Sequence, residues 1–214
     1  MPVSKFERYL PWAGVLSGVL FAVSGYLSAM SDDTSDPAKA IQTINDGATQ
    51  SVIAMVAGAL CSVTLLFFAA AVRSRLRSGE TGEASYSSIA YAGTIAVGLA
   101  VSLNAWLTMA ALDAADEANE AAVGTLTFLG ATAWMPWVAA SAVMFLGVGL
   151  GGLRTAVLPK WLSIVSVVLG VLCLLGPTGI AVWFATPVWF VVTGLVMTAR
   201  TGDVVAREEN LVSA

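Results

Sequence analysis

The chain has 214 residues, of which 57% are hydrophobic and 11% are charged, and its formal net charge is −4. Soluble domains carry about 25% charged residues, so this chain has too few polar groups to cover a surface in contact with water. It contains no histidine, which excludes histidine-ligated haem, histidine zinc sites and the Ser-His-Asp triad. The acidic balance gives no support for a nucleic-acid partner.

Six apolar runs make up most of the chain: 10–30, 51–72, 87–112, 125–150, 158–176 and 179–199. Each is about as long as a helix needs to be to cross a hydrocarbon core of about 30 Å. Backbone polar groups find no other partners in lipid, so each run is expected to be an α-helix. None of the runs alternates apolar and polar residues, as the strands of a membrane β-barrel do. The sequence therefore predicts an all-α polytopic membrane helix bundle with six transmembrane helices in residues 1–199, and a cytoplasmic tail in 200–214.

The cations are distributed unevenly between the segments that flank these runs. Nine of the ten Lys and Arg residues fall on one side, and only Lys39 falls on the other. Because cytoplasmic segments carry the excess of cations, both termini are predicted to be cytoplasmic in a multi-pass protein of the plasma membrane. The nine are Lys5, Arg8, Arg73, Arg75, Arg77, Arg154, Lys160, Arg200 and Arg207. The opposite segments carry carboxylates, among them Asp32, Asp33, Asp36, Asp46 and Asp113.

The segment 31–50, between the first two runs, carries the signals of a short helix. Asp36 is a typical N-cap residue. Pro37 suits the first helical position, because the backbone N–H that proline lacks would have no intrahelical acceptor there. Ile41 and Ile44 would form its apolar face. The pair Asp46-Gly47 is predicted to end it.

Four carboxylates, those of Asp113, Asp116, Glu117 and Glu120, follow the third run with the spacing i, i+3, i+4 and i+7. If one helix continues through them, they share a single stripe. Carboxylate oxygens are ligands of Ca²⁺, but this ion takes six to eight oxygens, and a straight stripe does not wrap around it. We therefore expect a solvated acidic collar, with no metal site and no cofactor.

Small residues recur at i and i+4 on two of the predicted spans. Gly14 and Gly18 form one such pair, and Gly147 and Gly151 form another. Because glycine has no side chain beyond a hydrogen atom, two helix backbones can approach closely at these positions in lipid. The pairs indicate either an interface between two copies of the chain or packing within the bundle, and we favour packing within the bundle.

Prolines and tryptophans coincide in the fourth and sixth runs. Proline removes a helical hydrogen bond and kinks the helix. Tryptophan usually stays at the membrane interface, where its N–H is wet, so tryptophans beside a kink well inside a span are unusual. They suggest a cavity for a lipid, a quinone-like ring or another apolar ligand, although aromatic side chains also fill gaps in bundle interiors. The residues concerned are Trp134, Pro136 and Trp137 in the fourth run and Trp183, Pro187 and Trp189 in the sixth.

Asn104 is the single amide side chain inside a predicted span. Such a group usually bonds a neighbouring helix, and here it is also a candidate ligand contact. No ionisable residue falls near the middle of any run. Because such residues mark ion-coupled pathways, their absence argues against a proton-coupled pump, a voltage sensor and an intramembrane aspartyl protease.

The second half of the chain resembles an uncharacterised family of small actinobacterial membrane proteins with six predicted spans. The resemblance rests on the segment 151–162, GGLRTAVLPKWL, on Gly170 with the turn 175–177, LGP, and on the segments 187–189, PVW, and 192–194, VTG. It covers about residues 125–199. It implies a plasma-membrane protein of actinobacterial origin and supplies no catalytic residues.

Three functions are compatible with these features. The first is a non-enzymatic protein that binds a membrane lipid, a membrane-protein partner or a second copy of itself through its helix bundle. The second is a facilitator or exporter of a neutral or apolar solute that uses the kinked fourth and sixth helices. The third is an enzyme acting on lipid, which is disfavoured because the sequence offers no evident nucleophile and base. The predicted ligand contacts are Asn104, Trp134, Trp137, Trp183 and Trp189.

Overall fold

The computed structural model describes residues 9–28, 36–81 and 85–212. Lys5, Arg8, Asp32 and Asp33, and Met30 at the predicted end of the first run, lie outside these ranges. Within them the chain forms helices and connecting turns, with no strand. The helices are α1 Trp12–Ser28, α2 Pro37–Asp46, α3 Ala48–Gly79, α4 Tyr86–Asp116, α5 Glu120–Thr132, α6 Trp134–Thr155, α7 Lys160–Leu174 and α8 Gly179–Val212, and a 3₁₀ turn at Gly176–Thr178 precedes α8.

Four stretches in the described ranges are long and apolar enough to cross a membrane. They are α3, α4, the consecutive helices α5 and α6 taken together, and the part of α8 that spans Gly179–Arg200. Two further apolar helices are shorter, since α1 has 17 residues and α7 has 15. The all-α helix bundle is therefore confirmed, with four helices of membrane-spanning length. The backbone of α8 continues as a helix to Val212, through most of the predicted tail.

Six helices form a ring in chain order. Helix α1 packs against α3, α3 against α4, α4 against α6 and α6 against α7, and α8 returns to pack against α1. The contact between α7 and α8 is much less extensive than the others. The α7–α8 interface is therefore the least extensive in the ring, although a short turn joins the two helices.

Glycines set the close approaches between these helices. A Cβ atom on Gly147 would lie 2.6 Å from the backbone nitrogen of Ala90, where α6 crosses α4. One on Gly18 would lie 2.5 Å from the carbonyl oxygen of Pro187, where α1 crosses α8. Gly14 and Gly151 likewise face Phe68 and Leu76 of α3. Both pairs of small residues are thus used for packing within the bundle, as we favoured.

The middle of the ring is filled by aromatic side chains. The Trp189 ring meets the rings of Phe145 and Phe68 edge-on, with centroids 5.0 Å and 6.3 Å away. Its indole N–H donates a 2.9 Å hydrogen bond to Oγ of Ser166 on α7. Phe190 is fully buried in the same cluster. These contacts join α3, α6, α7 and α8 around one centre.

The fourth predicted span is broken between α5 and α6. Pro136 has no N–H to donate to the carbonyl oxygen of Thr132, one helical turn earlier, and its ring crowds that carbonyl. Helix α5 accordingly ends at Thr132, and α6 begins at Trp134. At the junction the N–H of Ala133 bonds to the oxygen of Gly130 at 3.1 Å. The proline of the fourth run thus coincides with a break in the helix, whereas Pro187 of the sixth run lies within the continuous helix α8.

Helix α2 has the boundaries that its sequence signals predict. The Asp36 carboxylate accepts a hydrogen bond from the N–H of Ala38, and the helix ends at Asp46. Ile41 and Ile44 pack on a small apolar cluster formed with α4 and α5. The helix therefore lies across the ends of α4 and α5.

The acidic stripe after the third run does not form. Helix α4 ends at Asp116, because Ala118 adopts a left-handed backbone with φ of 50°. Asn119 then caps α5, its side chain accepting a 3.1 Å hydrogen bond from the N–H of Ala122. Glu120 belongs to this new helix and is not in line with Asp113. Across the described ranges, no group of three or more metal-binding side chains is clustered closely enough to hold an ion.

Candidate ligand cavity

A cavity of about 610 Å³ lies in the half of the bundle that contains α2, between α1, α4, α5 and the starts of α6 and α8. This volume falls within the range of about 300–1,000 Å³ that is usual for small-molecule sites. We call it the Trp137 cavity. Its walls are formed by Phe21, Ser24, Gly25, Ser28, Ala40, Thr43, Ile44, Ser51, Ala100, Val101, Asn104, Leu107, Thr108, Ala111, Leu112, Leu126, Thr127, Gly130, Ala131, Ala133, Trp134, Trp137 and Trp183.

Four of the five residues predicted as ligand contacts line this cavity. They are Asn104 of α4, Trp134 and Trp137 of α6, and Trp183 of α8. Trp189 is not among the lining residues, because it is 3% exposed and held in the aromatic centre of the ring. The structure therefore brings together the side chains near the Pro136 break and those at the beginning of α8.

One wall of the cavity is a group of three aromatic rings. The ring centroid of Phe21 lies 6.0 Å from that of Trp137 and 5.9 Å from that of Trp183, with interplanar angles of 39° and 57°. Trp183 fits against α1 because Gly25 has no side chain, and a Cβ there would lie 2.5 Å from the indole ring. Phe21 was not predicted, since a phenylalanine in an apolar run carries no distinguishing local signal.

Two polar groups in the walls have no protein hydrogen-bond partner among the described residues. Trp137 is 4% exposed, and its indole nitrogen is buried without an acceptor. The Asn104 side chain makes no hydrogen bond with the described part of the chain, although its backbone oxygen accepts one from Thr108. A buried donor without a partner costs about 1–3 kcal/mol. The Asn104 side chain is partly exposed, whereas the indole nitrogen of Trp137 has almost no accessible surface of its own.

Helix α5 forms the loosest wall. It packs mainly on α4 and α2, and Val123 is its one buried residue within the described side chains. Gly130 lines the cavity, and a Cβ built there meets nothing within 4 Å. The site therefore has spare room on the α5 side, next to the break at Ala133.

The chemistry of the lining suits an uncharged ligand. The lining residues within the described ranges are apolar, hydroxyl-bearing or amide side chains, and none is ionisable. A charged group brought into such a site would lose its hydration without gaining a counter-charge. Hydroxyl groups of Ser24, Thr43, Thr108 and Thr127 supply scattered polar contacts.

Arg75 and Arg200 lie at the end of the ring opposite the cavity. Arg75 donates a 3.2 Å hydrogen bond to the carbonyl oxygen of Met197, and Arg200 donates one of 2.7 Å to that of Val157. These bonds connect α3 to α8, and α8 to the turn before α7. The carbonyl oxygen of Val157 lies in the turn between α6 and α7, outside any helix, whereas that of Met197 lies within α8.

Glu80, after α3, fixes the start of α4 at this end of the ring. Its carboxylate accepts 2.6 Å and 2.7 Å hydrogen bonds from the backbone N–H and the hydroxyl of Ser87. Burial alone would raise the pKa of this carboxyl, but the bonds from Ser87 and the nearby guanidinium of Arg77 outweigh it and lower the pKa. The ionised form of Glu80 is therefore favoured in the folded protein.

The chain matches no protein-family model, no curated protein and no solved structure.

Proposed function

We propose that this is a plasma-membrane protein that crosses the bilayer six times with both termini in the cytoplasm. The four long apolar helices support a membrane location. Six described cations lie at one end of the ring: Arg73, Arg75, Arg77, Arg154, Lys160 and Arg200. Helices α1 and α7, about 26 Å and 22 Å long at 1.5 Å per residue, would cross with local thinning of the bilayer. The sequence resemblance supports membership of the actinobacterial six-span family.

Cysteine labelling in intact cells tests this topology. Ser78 and Lys39 are exposed and lie at opposite ends of the ring, and the native Cys61 and Cys173 are buried. With a membrane-impermeant maleimide, we expect Lys39→Cys to react in intact cells and Ser78→Cys to react only after permeabilisation. Reaction of Ser78→Cys from outside would contradict the proposed orientation.

We propose, further, that the protein is not an enzyme and binds a membrane lipid in the Trp137 cavity. The main support for this proposal is the cavity itself. Its walls are apolar and aromatic with a few polar groups, which is the composition usual for small-molecule sites. It lies among helices that would face the hydrocarbon core, so a lipid would reach it without leaving the bilayer.

Filling the cavity tests this function. Gly130→Trp would place an indole into the open space at the α5 wall. Gly124→Trp is a matched control, because it is on the same helix, also has nothing within 4 Å of its Cβ position, and is not part of the lining. Native mass spectrometry of protein released from nanodiscs should show bound lipid with the wild type and Gly124→Trp, and its loss with Gly130→Trp. Equal lipid retention by the two variants would contradict binding in this cavity.

A separate measurement in detergent addresses association with partners. A membrane-protein partner or a second copy of the chain, bound through the outer faces of the bundle, is also part of the proposal. The mass of the detergent-solubilised particle, measured by light scattering, should exceed that of one chain with its detergent. A single chain without a co-purified partner would restrict the function to lipid binding.

A second candidate is a facilitator of a neutral or apolar solute. It is favoured by the break at Ala133 and by Pro187 within α8, since both interrupt helical hydrogen bonding beside the cavity. In proteoliposomes, uptake of such a solute should then depend on Pro136, and Pro136→Ala should slow uptake while leaving equilibrium binding intact. Uptake equal to that of empty liposomes would refute transport.

A further inference from the structure

We infer that the ligand of the Trp137 cavity is an uncharged amphiphile with one acyl chain and a hydroxyl-bearing headgroup, as in a monoacylglycerol, and that it binds with its chain toward Trp137 and its headgroup beneath α2. This inference rests on the proposed lipid-binding function and specifies the class of the lipid and its orientation.

The end of the cavity that points toward the aromatic centre of the ring is apolar. Phe21, Ala100, Val101 and Trp137 line it. The ring centroid of Phe21 lies 6.3 Å from that of Phe190 in the centre. The indole nitrogen of Trp137 has almost no accessible surface, so the side chains at this end offer only carbon atoms to a ligand. An acyl chain gains by burying its apolar surface there, whereas a hydroxyl group would lose its hydrogen bonds to water.

The other end of the cavity, beneath α2, carries the hydroxyl groups. On α1, Ser28 lies seven residues beyond Phe21, which is about 10 Å along the helix. On α4, Thr108 lies the same distance beyond Val101. The lining thus changes from apolar to polar along both helices, as an amphiphile requires. The hydroxyl-bearing residues of this end come from five helices and are Ser28, Thr43, Ser51, Thr108 and Thr127.

Asn104 lies between the two ends. On α4 it is about one helical turn beyond Val101 and one turn before Thr108, and its side chain is partly exposed in the cavity wall. An amide both donates and accepts hydrogen bonds, so it can pair with a hydroxyl group or donate to an ester carbonyl. Asn104 is therefore placed at the level where the chain of the ligand meets its headgroup.

The charges around the cavity disfavour an ionised headgroup. Phosphates and carboxylates are bound in proteins by Arg and Lys, but none of the described lining residues is ionisable. A cationic headgroup would likewise lack a counter-charge in the lining. At the α2 end, Lys39 is the one cation among the described residues, and the surrounding exposed carboxylates repel an anion. These carboxylates are Asp36, Asp46, Asp113, Asp116, Glu117 and Glu120.

Matched lipids test the headgroup on the full chain in phosphatidylcholine nanodiscs. Monolauroylglycerol is uncharged, lysophosphatidic acid with the same acyl chain is anionic, and dodecyltrimethylammonium is cationic. Equilibrium dialysis gives the affinity for each. We expect the wild type to bind monolauroylglycerol about tenfold more tightly than either charged probe, after correction for partitioning into empty nanodiscs. Equal or tighter binding of a charged probe would overturn the uncharged headgroup.

Substitutions of polar lining residues test the orientation. Asn104→Leu keeps a side chain of similar size and breaks no side-chain hydrogen bond with the described part of the chain, so the variant should fold. It should bind monolauroylglycerol about fivefold more weakly than the wild type. Thr127→Val should also weaken binding. Thr125→Val is the matched control, because Thr125 lies on the same helix outside the lining, and its affinity should stay within about twofold of the wild type. Thermal melts followed by circular dichroism check that the variants are folded.

The outcomes separate this inference from the function on which it rests. If a charged probe binds at least as tightly as monolauroylglycerol and Gly130→Trp prevents its binding, the cavity is a lipid site for another class of headgroup. If Asn104→Leu and Thr127→Val bind monolauroylglycerol like the wild type, the headgroup does not lie at the α2 end. If Gly130→Trp and Gly124→Trp both bind monolauroylglycerol like the wild type, the cavity is not the binding site and the proposed function fails with the inference.

Discussion

Adding one methyl group at Gly147 should destabilise the bundle, although alanine forms helices better than glycine. The added Cβ would lie 2.6 Å from the nitrogen and 2.8 Å from the Cα of Ala90. These are backbone atoms, so no side chain can rotate away, and α4 and α6 must separate by about 1 Å to restore ordinary contact distances. Moving the two helices apart loosens the contacts along the whole α4–α6 interface.

The size of the effect follows from two opposing contributions. Overpacking a tight interior costs about 1–3 kcal/mol, whereas replacing glycine by alanine within a helix contributes about 1 kcal/mol in its favour. Because the clash is with backbone, we expect the cost near the upper limit and a net loss of about 1–2 kcal/mol for Gly147→Ala. Gly124→Ala, which meets nothing within 4 Å, should instead gain about 0.5–1 kcal/mol.

The free energy of unfolding of each variant is measured by titrating the detergent-solubilised protein with SDS and following helical circular dichroism. The comparison of Gly147→Ala with Gly124→Ala removes the helix-propensity contribution, which the two share. Equal stability of these variants would show that α4 and α6 do not approach at Gly147, and the ring order described above would then be in error.

Three further predictions concern other parts of the ring. The folded-state pKa of Glu80 lies below its ordinary value of 4.5. The ionised carboxylate therefore stabilises the fold above pH 4.5, and this stabilisation is lost as the pH falls through the folded-state pKa. In a plot of melting temperature against pH, Glu80→Gln should flatten the fall on the acid side. Ser166→Ala leaves the buried N–H of Trp189 without its acceptor and should cost about 1–3 kcal/mol in SDS unfolding, with a change in tryptophan fluorescence. Ala156 ends α6 with a left-handed φ of 53°, so Ala156→Gly should raise stability by about 0.5–1 kcal/mol, and a lower melting temperature would contradict this backbone assignment.

The sequence by itself was sufficient wherever structure depends on neighbours along the chain. Asp36 and Pro37 predicted the start of α2, and Asp46 its end, because capping bonds join residues only a few positions apart. Pro136 predicted a kink in the fourth span, and the helix breaks at Ala133, because the missing N–H acts on the preceding turn of the same helix. The apolar runs predicted helices because backbone groups in lipid must be satisfied within the segment. The acidic stripe is the exception among these local features, because α4 ends at the left-handed Ala118 and alanine is not a residue type that signals a helix end.

The tertiary structure decided which of these helices face each other, and therefore where the cavity lies. Trp137 and Trp189 both occur within two residues of a proline, yet one lines the cavity and the other bonds Ser166 in the centre of the ring. Phe21 meets Trp183 in the aromatic wall because α8 returns to pack against α1. The physical reason is that helix formation is governed by local hydrogen bonds and hydropathy, whereas a cavity is the space left where side chains from several distant segments fail to fill a common volume.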